Sequence, residues 1–154
     1  MNDTPSDAEN QDKRSALELA QTAKARFETT EAAAQSYGLD LTRVATCADS
    51  LLDRLHRGPQ QGNVLWVMEI SVAMITAVMA VNREPLPVTS QVDPASYALS
   101  VLRDLATAAE TKGLNWPALE AAGVEVLRQA EADGFTNQEV YWALNRATAS
   151  LELA

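Results

Sequence analysis

Asp49, Asp53 and His56 have the spacing at which one helix lines up metal ligands, because residues three and four apart sit one above another on the same face. A carboxylate-bridged di-iron bundle repeats its acid-x-x-His motif on a second helix, and this chain has a single histidine. Acids from elsewhere, such as Glu120 or Glu125, would have to complete a site. The stretch is therefore read as a solvated face with Arg54 and Arg57 as ion partners. Cys47, the only cysteine, lies nine residues before His56. On one helix that is roughly 13 Å at 1.5 Å per residue, too far for one to take the other's proton. Cys47 is expected to be a small buried hydrophobe. No Cys/His set has zinc spacing. No catalytic residue, metal or other cofactor is expected, and the chain is read as no enzyme.

The strongest feature is a segment. Residues 64–81 carry one charge, Glu69, with Ser71 and Thr76 as the other polar members. At helical pitch Leu65, Met68, Val72, Ile75 and Met79 form one stripe, and Trp66, Ile70, Met74, Val78 and Val81 widen it. Gly62, Glu69, Ala73, Thr76 and Ala80 are left as a narrow strip expected to face water. Such a helix is a central core helix, an oligomer interface or a membrane span. The span is disfavoured because Glu69 would be costly in lipid, and no membrane association is expected. Trp66, Met68, Glu69, Met74, Thr76 and Met79 are the candidate ligand or interface residues, the thioethers lining an adaptable apolar surface and Glu69 marking its polar end.

The remaining segments supply partners for that helix. Residues 1–12 hold four acids and no base, and are expected to be a disordered acidic tail, leaving 13–154 as a single helical domain. Ala16, Ala20, Ala23, Phe27, Thr30, Ala34 and Tyr37 recur every three or four residues in a first helix that Gly38 closes. Asp40 caps a second helix to Arg57, whose apolar face is Leu41, Val44, Ala48, Leu51, Leu52 and Leu55. Asp93-Pro94 starts a fourth helix with Tyr97, Val101, Leu105 and Ala108 inward, and Asn115-Trp116-Pro117 starts a fifth. In the fifth, Gly123 costs about 1 kcal/mol relative to alanine unless it permits close helix approach. Thr136-Asn137-Gln138-Glu139 is a capping box for the last helix, which turns Val140, Leu144, Ala147 and Leu151 inward. The expected fold is a compact all-α bundle of five or six helices around the hydrophobic third one, residues 61–83. That helix is either wrapped by the others or shared across a homodimer, and self-association is the preferred use.

Composition narrows function further. Apolar residues make up 47% of the 154-residue chain, but 27 of them are alanine and aromatics are only 5%, so the core must be closely packed helices rather than sheets. Net charge is -9, concentrated on the flanks: residues 93–135 hold seven acids against three bases, while 37–58 are neutral. That charge repels a phosphate backbone, there is no Gly-rich phosphate loop, and no nucleic acid partner is expected. A lone cysteine and no apolar leader point to the cytoplasm. The arginine-rich, alanine-rich composition suggests a bacterial or phage source. Gly134-Phe135-Thr136 resembles the Gly-Phe turn of ubiquitin-associated domains over barely a dozen residues, without their third helix. The favoured function is a non-enzymatic interaction protein, an adaptor, regulator or inhibitor, that binds a protein partner, possibly basic, through helix faces and acidic flanks. A small-molecule-binding bundle with an apolar pocket beside the third helix is the alternative; a metal-dependent enzyme is the least favoured.

Overall fold

The computed structural model describes residues 31–86 and 93–153, together with Lys24 and Glu28. The fold is an all-α bundle. Helix α1 covers residues 31–36, and Lys24 and Glu28 are also helical. It is followed by α2 (Leu41–Arg57), α3 (Val64–Val81), α4 (Pro94–Thr111), α5 (Trp116–Ala132) and α6 (Asn137–Leu153). A single 3-10 turn, Gln61–Asn63, leads into α3, and no strand occurs among the described residues. The acidic segment 1–12 and the first helix's seam from Ala16 to Thr30 lie outside the described residues. Of that seam, Ala34 is buried and Tyr37 packs tilted against Trp142 with ring centroids 5.7 Å apart.

Helices α2, α4, α5 and α6 begin where a side chain satisfies their orphan amides, whereas Asn63 before α3 makes no such bond. Asp40 accepts from Thr42 N at 2.8 Å, Asp93 from Ser96 N at 3.0 Å and Asn115 from Ala118 N at 3.2 Å. Pro94 and Pro117 supply pre-set first-turn angles. At α6 the box closes both ways: Glu139 accepts from Thr136 N at 2.9 Å, and Thr136 Oγ1 accepts from Glu139 N at 3.1 Å. Helices α1, α4 and α5 end alike, with a left-handed glycine whose N–H bonds the carbonyl three residues back and a following Leu or Phe whose N–H bonds five back. The end of α3 copies this bonding, with Arg83 at φ 58° in the glycine's place.

The packing has two central helices. Helix α3 is wrapped by α4, α5 and α6, and α6 carries α2 on its other side. Residues 61–81 are long and apolar enough to cross a membrane by length and composition, yet half of that stretch is buried inside the bundle. Ala73 and Thr76, expected on a strip facing water, are buried instead. Thr76 Oγ1 donates to Val72 O, and Ser71 does the same to Val67 O at 2.8 Å, so both hydroxyls enter the core already satisfied. The wet side of α3 moves around the helix along its length, from Leu65 near its start to Val78 and Val81 near its end.

Two other faces depart from their sequence patterns. Tyr97 is 58% exposed, and α4 turns Ala98, Leu102, Leu105 and Ala109 to the core. Small residues at 98 and 109 let α4 lie close to α3, which outweighs burying the larger ring. Helix α6 is buried well beyond its four expected positions, with Trp142, Ala143, Asn145, Thr148 and Ala149 also inside. Asn145 donates to Tyr141 O at 2.9 Å and Thr148 to Leu144 O at 2.7 Å, the same local satisfaction that α3 uses.

Candidate functional site

Helix α5 joins α3 by close approach and leaves α2 at a distance. Gly123 is buried, and a Cβ added there would lie 2.9 Å from Ile70 Cγ2 and 3.3 Å from Met74 Sδ. Its missing side chain is what brings the two helices together. On its other side α5 diverges from the end of α2, which Gly58-Pro59 turns away, and a cleft of about 520 Å³ opens between them. Leu51 and Leu55 form one wall; Ala118, Ala121, Ala122 and Val126 form the other.

The rim is polar and internally paired. Glu125 at the rim is held in a bidentate pair by Arg128, which itself lies outside the cleft, and also accepts from Gln129 Nε2 at 3.2 Å. Gln129 Oε1 accepts from Arg54 Nη1 at 3.3 Å, and Arg54 Nη2 lies 2.8 Å from Asp133. The Arg128 guanidinium holds the Glu125 carboxyl below the usual carboxylate range. The cleft thus combines an apolar interior with a fixed polar edge, the composition of a site that receives an apolar group.

A second ionic staple holds α2 to the start of α6. Arg43 pairs with Glu139 through Nε and Nη2, donates to Gly134 O at 3.3 Å and lies over the Phe135 ring at 5.1 Å. Hydrogen bonding from Arg43 and from the Thr136 amide holds the Glu139 carboxyl below its ordinary range, against the opposing effect of burial. The Glu139 side chain is only 8% exposed. Neither staple was legible from helix periodicity, since each joins residues about 80 to 100 positions apart.

The sequence candidates divide. Met68, Thr76 and Met79 are core, and Met74 is half-buried with its sulfur against Gly123. Trp66 and Glu69 are brought together with Leu65 and Leu105 around a separate depression of about 280 Å³ between α3 and α4. The α2–α5 cleft borders none of these six. Its signal in the sequence was the alanine pair 121–122 beside Glu125, indistinguishable from ordinary helix filler. Asp53 pairs with Arg57 at 3.2 Å, whereas Arg54 turns to Asp133. His56 Nδ1 lies 2.8 Å from Leu52 O, and Glu125 belongs to Arg128. Among the described residues no group of three His, Cys, Asp or Glu side chains comes together as a metal site. Cys47 is buried, and burial pushes its thiol up to about 12.

Compared with known proteins, the chain matches no family model, and no curated protein or solved structure is significantly similar to it.

Proposed function

We propose that this is a non-catalytic interaction protein whose α2–α5 cleft receives apolar side chains from a helix of a partner protein. The observation that carries the reading is the cleft's construction: apolar walls, a rim whose charges already satisfy one another, and a side open to solvent. A small molecule held in such a groove would leave much of its surface wet, whereas a partner helix covers the opening with its own backbone. The net charge of -9 favours a helix with basic flanks, by steering encounter and repelling acidic competitors. The protonated, buried Cys47 thiol and the His56 ring turned to its own helix are consistent with a binding role.

The test is selection of displayed helical peptides against the full chain, followed by titration of the recovered sequences. Peptides with apolar residues at i, i+3 or i+4 and basic flanks are expected. Their affinity should drop about tenfold or more for Ala118→Trp, which fills the cleft, and should weaken with salt. Binders that Ala118→Trp leaves untouched, or a small apolar molecule found bound in native mass spectra of the purified chain, would overturn the reading.

A further inference from the structure

The side of α5 turned away from both α3 and the cleft carries a pattern that neither uses. Pro117, Glu120, Val124, Arg128 and Glu131 are exposed along it, one stripe at helical spacing. Val124, at its centre, is 54% exposed. Beside it lie Val78, 43% exposed, and one turn further along α3 Val81, 74% exposed. Val78 and Val124 flank a depression of about 260 Å³ floored by Ile75, Leu127 and Val140. Val78 and Val124, apolar and open to water around one depression, mark a surface that is covered by something.

We propose that the cover is a second copy of this chain, with the two α5 helices antiparallel about a twofold axis at Val124. The charges select both the occupant and the direction. Glu120 and Arg128 stand four residues on either side of Val124. An antiparallel copy sets Val124 against Val124 and Glu120 against Arg128 twice over. A parallel copy would set Glu120 against Glu120 and Arg128 against Arg128. Only one direction of self-pairing is therefore free of like-charge opposition. The partners are also available: Glu120 has no ion pair among the described residues, and Arg128 uses Nε and Nη2 on Glu125 while Nη1 has no partner there. The cleft lies about 130° around α5, at about 100° per residue, so dimerisation leaves it open and yields a particle with two clefts. The dimer does not depend on what the cleft binds.

The contact, one helix face plus the end of α3, is small, so association is expected at tens of micromolar rather than nanomolar. Sedimentation equilibrium of the full chain from about 5 to 500 µM should show the mass rising from 16.6 kDa toward twice that value. Val124→Glu should weaken association about tenfold or more. Glu120→Arg should weaken it several-fold, and Glu120→Arg with Arg128→Glu should restore it, because the swap rebuilds the opposed pairs. All three positions are exposed, and far-UV circular dichroism is the check that each variant is folded. A chain that stays monomeric throughout the range, or a dimer indifferent to Val124→Glu, would overturn the interface. A double swap as weak as Glu120→Arg alone would overturn the antiparallel arrangement.

Discussion

Replacing Gly123 by alanine sets two effects of similar size against each other, and the sign of the result reports how closely α3 and α5 approach. Inside a helix, alanine is favoured over glycine by about 1 kcal/mol, largely because glycine loses more backbone freedom on folding. Against this, the new Cβ would sit 2.9 Å from Ile70 Cγ2, closer than real Cβ contacts come. Ile70 is fully buried, and its Cγ2 hangs on a branched β-carbon with one preferred χ1 in a helix, so it cannot swing aside. Met74, at 3.3 Å, is unbranched and can yield. Overpacking of this kind costs about 1–3 kcal/mol, and a central value of about 2 leaves a net loss of about 1 kcal/mol. For a chain of this size that lowers Tm by about 2–4 °C. Thermal and urea unfolding followed by far-UV circular dichroism would read it. Gly62→Ala is the control: Gly62 has no atom within 4 Å of an added Cβ, and that variant should hold or gain a few tenths of a kcal/mol. Combining Gly123→Ala with Ile70→Ala, which removes the obstructing methyl, should make the glycine substitution neutral or stabilising. A single Gly123→Ala variant that melts above the parent would refute the close approach.

Three further outcomes follow from the same geometry. Arg83 occupies the left-handed region that ends α3, at a cost of about 1 kcal/mol relative to glycine, so Arg83→Gly should raise stability by about that amount in urea titration; an unchanged midpoint would count against the strain. Glu139 titrates below its ordinary 4.5, so its contribution is fully present above that pH and is lost as pH falls through the lower folded value. Glu139→Gln should therefore cost about 1 kcal/mol at pH 7, and its stability curve should converge on the parent's as pH falls below 4.5; curves that stay parallel there would contradict the staple. Cys47, buried and shifted from 9.0 to about 12, should resist iodoacetamide at pH 8 until the chain is unfolded by urea. Because the unfolded thiol ionises first, stability should also decline as pH rises from 9 toward 12, and rapid labelling of the folded chain would show the site is open.

Much of the architecture was legible in sequence because it is local. Asp40, Asp93, Asn115 and Thr136 open helices, and Gly38, Gly113 and Gly134 close them, through bonds that span no more than five residues. The apolar length of residues 64–81 was enough to mark a helix that other helices must cover. Long-range matters were not legible. A hydrophobicity pattern counts Thr76, Asn145 and Thr148 as polar, yet each returns its hydrogen bond to its own helix and is buried like an apolar residue, so the burial of α6 was hidden. The inward face of α4 shifted from Tyr97 to Ala98 because closeness to α3 is decided by small side chains. The cleft between α2 and α5 is a property of neither helix. It exists because Gly123 draws α5 onto α3 while Gly58 and Pro59 end α2, and a gap between elements has no residue of its own to announce it. The sequence by itself determined where the capped helices begin, where they stop and that residues 64–81 must be covered. Only the tertiary packing decided which faces meet, because that depends on the shapes of side chains distant along the chain.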